Sequence, residues 1–202
     1  TVFMECGAEY RKSGPQHLRA VGETEFVKDT ALASSGQGKA EIAGIVGYAD
    51  LDRDDGLVRE VLQAHEEYGA GYFRGIRHGG AHDPGKSLGW LNATPHANLF
   101  ERDNFRRGVN LLGELGYTYD SWHYHFQNEA FADLAEAVPG TTIVLDHFGT
   151  PCGVGDYTGK AAEVFAQWRV DIHRLAKCPN VVVKIGGLAM PVNGFGWDGM
   201  AV

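Results

Sequence analysis

The chain has 202 residues and carries 18 Lys and Arg against 26 Asp and Glu, a formal net charge of −8. With no Lys/Arg cluster to offset it, this acidity argues against nucleic acid or an anionic membrane surface as partner. No apolar run approaches the roughly 18–20 residues of a spanning helix, and no targeting segment is visible, so a cytoplasmic location is expected. Cys6, Cys152 and Cys178 stand at unrelated spacings, which suits small apolar residues in a reducing compartment better than a disulfide framework.

In chain order, the first apolar, strand-like run covers 1–6 and the second 41–51. Asp54 and Asp55 then offer N-caps for a helix over 56–68, with Leu57, Val58, Val61, Leu62 and His65 on one face and Gly69 as its stop. A third strand run covers 72–78. The segment 79–102 has neither helical nor strand period and carries His82, Pro84, Trp90, Pro95 and His96. A long loop of that kind reads as a lid or substrate wall. Asp103 precedes a helix over 104–115 with Phe105, Val109 and Leu112 inward, and Gly116 follows it. A strand run over 118–125 leads to a helix over 129–138, and another over 141–147 to a helix over 160–177. That last helix carries Val164, Phe165, Trp168, Ile172 and Leu175 and stops before Pro179; a final strand run covers 181–187.

Strands alternate with helices throughout, which calls for an α/β fold with a parallel sheet and right-handed crossovers. Strand starts recur at roughly 36-residue intervals, against roughly 31 per unit in a (β/α)8 barrel. A doubly wound open sheet shows the same alternation, but no G-x-G-x-x-G follows a strand, so its dinucleotide-binding form loses support. Six units fall short of the eight a closed barrel needs. The expectation is therefore an incomplete TIM-type barrel, 1–202 forming one partial domain. The apolar start at Thr1-Val2-Phe3-Met4 and the Gly-rich end at Gly199-Met200-Ala201-Val202 add the expectation of a segment from a longer protein.

Buried parallel strands should be apolar, so polar residues at their C-terminal ends need a reason, and that edge is where such folds place active sites. Glu5, Asp50, Arg74, Arg77, His78, His123, His125, Asp146, His147 and Lys184 fall there. A cluster of this kind must be mutually paired, for instance Arg74 with Glu5 or Asp50, or must face a ligand. His147 closes the run Ile143-Val144-Leu145-Asp146, and Phe148-Gly149-Thr150-Pro151 open a loop after it. An imidazole there can ligate a metal, stabilise an oxyanion or move a proton; otherwise it is a core histidine bonded to backbone. His123-Tyr124-His125 puts two imidazoles on one face of a strand, a geometry that suits Zn²⁺ without completing a site. Arg74 and Arg77 suggest two guanidiniums at one strand end, forks suited to a carboxylate or polyhydroxy substrate. No G-x-S-x-G elbow, P-loop or kinase signature supports acyl-serine or phosphoryl-transfer chemistry.

The ordered set Phe3-Met4-Glu5-Cys6-Gly7-Ala8, 43–51, Phe73-Arg74-Gly75-Ile76-Arg77-His78, Tyr124-His125 with Gln127, 142–147 and 180–187 resembles the amidohydrolase-2 family of TIM-barrel hydrolases. Its sugar-lactonase and pyrone-dicarboxylate-lactonase branch is the most similar. The resemblance implies about strands two to seven of eight, with an H-x-H expected before Thr1 and an acidic residue after Val202. It also implies a hydrolase that opens a sugar-acid or dicarboxylate lactone by water attack on the carbonyl. His147 would be catalytic and a metal ligand, and Glu5, Arg74, Arg77, His78, Tyr124 and His125 would bind substrate. The implied cofactor stays open between one divalent metal, Zn²⁺, and none. The implied partner is a small carboxylate or sugar lactone, and self-association into a homo-oligomer is compatible. His123 and Phe126 depart from the family pattern, which tends to an aliphatic residue and Pro there. A Zn²⁺-dependent decarboxylase of aromatic acids, and a non-catalytic fragment or binding module, remain as alternatives.

Overall fold

A computed structural model describes residues 1–38, 40–89 and 93–196. Trp90, one of the residues of the expected lid, and the last residues of the Gly-rich end lie outside that range. Six strands, β1 (Val2–Met4), β2 (Gly44–Gly47), β3 (Phe73–Arg77), β4 (Thr118–Ser121), β5 (Ile143–Leu145) and β6 (Val181–Val183), form one sheet in chain order. The sheet is open, with β1 and β6 as its ends, and the strands run parallel, as alternation with helices requires. The helices are α1 (Val21–Ser34), α2 (Asp55–Gly69), α3 (Asp103–Glu114), α4 (Asn128–Ala137) and α5 (Ala161–Leu175).

Contacts divide the chain into two compact units, one of Thr1–His78 with Asp103–Tyr119, the other of Gly79–Arg102 with Asp120–Val202. In the first unit α2 begins where Asp54 accepts a hydrogen bond from Gly56 N at 2.9 Å, a cap that contributes about 1 kcal/mol. Its Val58, Val61 and Leu62 are buried in a core shared with Ile45, Phe73, Ile76, Phe105 and Leu112. His65 sits in the same interior. Its Nδ1 lies 2.8 Å from Thr24 Oγ1 and its Nε2 3.0 Å from Tyr48 O, and its ring stacks on Phe73. Both ring nitrogens are satisfied, and burial pushes the imidazole down to about 4.

Helix α1 has no counterpart among the periodic patterns of the sequence, and the structure shows why. Polar Glu23 and Thr24 face inward with Val27 and Ala31, while Phe26 and Leu32 face solvent. Glu23 uses one carboxylate oxygen to accept from Cys6 N at 3.1 Å and Ala8 N at 2.7 Å, so the helix is pinned through a polar contact. Cys152 and Cys178 are buried as expected of small apolar residues, whereas Cys6 is exposed beside Glu23.

In the second unit Tyr124, Ala81, Leu88, Cys152 and Val192 form one apolar cluster. Helix α4 ends where Asn180 Nδ2 lies 3.0–3.1 Å from the carbonyls of Ala135, Val138 and Thr141. Gln127 ties the loop 79–82 to the turn after β4. It donates to Gly80 O at 2.7 Å and accepts from His82 N at 3.2 Å. The loop is thus anchored through side-chain-to-backbone bonds that no periodicity announces.

Candidate functional site

Strand β5 ends at Leu145, and the four residues His147, Phe148, Gly149 and Thr150 then all adopt the left-handed conformation, with φ of 53, 56, 67 and 41°. For a non-glycine residue this costs of order 1–3 kcal/mol, so such a run persists only where its surroundings hold it. Trp168 Nε1 donates to Phe148 O at 2.6 Å, Thr150 N to His147 O at 3.0 Å, and His125 N to Thr150 O at 3.2 Å. Asn128 fills the space beside Gly149, where a Cβ would lie 2.3 Å from its Oδ1. Gly187 forms the surface against which His147 lies: a Cβ there would sit 2.3 Å from His147 Nδ1. The imidazole is half-buried, and its Nδ1 is buried with no hydrogen-bond partner among the described residues. A strained backbone and an uncommitted ring nitrogen on one histidine are features that cluster at sites of chemistry.

Beside this turn stands a charged group that sequence reading resolved only in part. Lys184 Nζ lies 2.5 Å from Asp120 Oδ1 and 2.8 Å from Asp146 Oδ1, both carboxylates being almost fully buried. Lys184 also donates its backbone N–H to Leu145 O at 2.9 Å, so β6 clamps the strand that leads into the turn. Asp146 and Lys184 stood out as polar ends of strands. Asp120 did not, although a carboxylate inside the buried run Tyr119-Asp120-Ser121 is a signal of the same kind.

The H-x-H expectation is corrected. Strand β4 ends at Ser121, and His125 opens a separate 3-10 turn, so the two rings do not share a strand face. His123 is a core residue between Ser121 Oγ at 3.0 Å and Asn128 Oδ1 at 3.1 Å, packed on Phe100 and Phe131. Burial pushes it down to about 4, against the opposing effects of the Asn128 bond and the Asp146 charge. His125 is also pushed down to about 4 by burial; its Nδ1 accepts from Cys152 N at 3.2 Å, and its edge meets Tyr157. Its Nε2 is the nitrogen left to carry a proton. Tyr124, expected to bind substrate, is fully buried in the apolar cluster, and its phenol is pushed up to about 12 by burial.

In the first unit Arg77 Nε donates to Glu5 Oε1 at 2.9 Å and Arg77 Nη2 to Glu5 O at 2.5 Å. Internal pairing therefore occurs, but with Arg77 and not, as first suggested, with Arg74. Arg74 stands at the beginning of β3, exposed, with its guanidinium donating to Gly71 O, Phe73 O and Ala43 O. Residues 74 and 77 are three apart on a strand, so their side chains leave opposite faces, and the expected pair of forks at one strand end is not formed. His78 is buried; Leu51 N donates to its Nδ1 at 3.2 Å, and its ring packs on Tyr48 and Phe105.

The parallel strands, the crossover helices and a histidine turn at a strand's C-terminal end define a barrel-type α/β class. The profile of the amidohydrolase family matches residues 4–200, and the chain belongs to that family. It is 33% identical over 147 residues, 73% of this chain and 45% of the relative, to the uncharacterized protein y4mH of Sinorhizobium fredii. It is 29% identical over 167 residues, 82% of this chain and 49% of the relative, to an L-fucono-1,5-lactonase of Burkholderia multivorans. A crystal structure of a Burkholderia multivorans amidohydrolase with bound Zn superposes with a TM-score of 0.60 at 27% identity, covering 82% of this chain and 50% of that one. A second crystal form of a Burkholderia multivorans amidohydrolase holds HEPES, at the same TM-score and 26% identity, with the same coverage of both chains. The chain thus spans about half the length of the curated relatives it matches.

The Zn-bound relative makes a metal worth testing against the residues present. His147 Nδ1 is a nitrogen of the right chemistry with no other bond to make. Among the described residues, however, no group of three or more His, Cys, Asp or Glu is arranged to hold an ion. One imidazole does not make a metal site. Among the described residues no helix is long and apolar enough to cross a membrane.

Proposed function

We propose that the protein is a lactone hydrolase, in which water attacks the ring carbonyl of a sugar-acid or dicarboxylate lactone. The observation that carries this reading is His147, held on a left-handed turn with one ring nitrogen uncommitted. From such a position an imidazole can donate to the oxygen on which negative charge develops, or hold the leaving oxygen. The 29% identity to an L-fucono-1,5-lactonase supports the substrate class. His125 Nε2, in the same unit as His147, is proposed to contact substrate, whereas Arg74, Arg77, His78 and Tyr124 have bonding or burial that commits them elsewhere. Asp120 and Asp146 are engaged by Lys184, so neither is the expected base. The family resemblance assigns that role to an acidic residue beyond Val202.

The test is His147→Asn in the whole protein, assayed on a sugar 1,5-lactone. Turnover should fall by roughly 10²–10³, the scale of one lost oxyanion donor. Near-normal turnover would show His147 to be a structural histidine. The Zn bound by a structural relative keeps metal-dependent decarboxylation as a second reading. Release of CO₂ from an aromatic acid, with no ring-opened acid from a lactone, would select it.

A further inference from the structure

The first unit contains a cleft of about 490 Å³ that the residues proposed above do not line. Tyr48 follows β2 directly, Tyr10 lies in the segment after β1, and Arg19, Asp50, Arg53 and Leu57 complete the part that concerns recognition. The Tyr10 and Tyr48 hydroxyls and the exposed Arg19 guanidinium make no bond to any described residue. Asp50 accepts from Arg53 Nε at 2.7 Å and from Asp52 N at 3.1 Å, which leaves lone pairs on both oxygens. Arg53 is thereby neutralised, and His17 on the same wall faces Glu60 at 3.0 Å. Arg19 is then the cation of the described lining that lacks an anionic partner. Leu57, 40% exposed, supplies an apolar floor.

These groups have a definite chemical complement. A single guanidinium fork suits one carboxylate, while Asp50 in the lining disfavours a phosphate dianion. Burial, with the carboxylates of Asp50 and Glu5 nearby, pushes the Tyr48 phenol up to about 12, so it stays a protonated donor at neutral pH. Tyr10 is shifted the same way by burial and by Glu5 and Glu23. Two phenol donors beside a carboxylate acceptor match groups that both accept and donate, which is what alcohol hydroxyls do.

We propose that this cleft binds a small polyhydroxylated carboxylate. Its anionic end pairs with Arg19, its hydroxyls lie between the two phenols and Asp50, and its C–H face rests on Leu57. The link to catalysis, that such an acid is the ring-opened product of a sugar lactone, rests on the lactonase reading above.

The test is isothermal titration of the whole protein with gluconate, glucitol and acetate as probes. Gluconate should bind saturably, with glucitol and acetate each at least about tenfold weaker, the loss of one charged or several hydroxyl contacts. Arg19→Ala should weaken gluconate about tenfold or more and Tyr48→Phe about fivefold. Neither should lower the unfolding midpoint, because neither group has an internal bond to lose. Absence of saturable gluconate binding, equal binding of acetate, or indifference to both substitutions would overturn the proposal. Loss of gluconate on His147→Asn but not on Arg19→Ala would also overturn it, and would leave the lactonase reading standing. Conversely, near-normal turnover of His147→Asn sinks that reading without touching gluconate binding at Arg19.

Discussion

His123 and His147 both belong to the second unit and both follow a strand, yet they occupy opposite chemical states. His123 is fully buried, bonded at both ring nitrogens, packed on Phe100 and Phe131, and free of positive φ. His147 sits at φ 53°, half-exposed, with Nδ1 uncommitted. The fold spends one histidine on filling and joining its core and holds the other against a local cost. The contrast teaches that a histidine's role follows from where its two nitrogens go, not from its place in an H-x-H or at a strand tip.

The largest effect that would sharpen this contrast is expected at Gly187. Gly187→Ala puts a Cβ into the His147 ring and occupies φ +78° with a side chain. Stability should fall by about 1–3 kcal/mol, and turnover of the whole protein should fall nearly as far as in His147→Asn. Urea unfolding and steady-state kinetics on the same variant read both. Unchanged turnover would separate the glycine from the function of the histidine.

The buried histidines should next show themselves in the pH dependence of stability. His65, His123 and His125 all titrate near 4 in the folded protein, below the ordinary 6.5. The unfolded chain therefore binds more protons between about pH 6.5 and 4, and stability is lost as pH falls through that window. Each group contributes at most about 1.4 kcal/mol per pH unit there. His123→Gln should flatten the slope of unfolding free energy against pH. A slope indifferent to His123→Gln would mean that this ring is protonated inside the fold.

Smaller effects belong to the supports. Trp168→Phe removes the donor to Phe148 O and should cost about 1 kcal/mol, with a further loss of turnover as the turn relaxes. Asp54→Ala removes the cap of α2, far along the chain from the turn, and should cost about 1 kcal/mol with no change in turnover. Equal catalytic loss in both variants would show that turnover tracks overall stability and not the geometry at His147.

Much of the architecture was legible because it rests on local chemistry. Helices α2 to α5 begin and end within a few residues of their caps, glycines and prolines, and every strand falls inside an apolar run. Helix α1 escaped because its inward face carries Glu23 and Thr24 and its outward face Phe26 and Leu32, so it has no amphipathic stripe to read. The run at 118–125 read as one strand because apolar and aromatic residues continue past Ser121. The chain turns there to seat His123 beside Asn128. The site was legible as a set of polar strand ends, His147, Asp146 and Lys184 among them. Its pairings were not: Arg77 with Glu5 and Lys184 with Asp120 and Asp146 join residues from different strands or loops.

The sequence by itself determined the α/β order, the parallel sheet and the family, because hydrophobic period, capping and turn residues act over a few positions and repeat along the chain. Only the tertiary structure decided which polar residues are spent on the fold and which remain for a ligand. Burial and hydrogen-bond partners come from segments distant in sequence, and they separate His123 from His147.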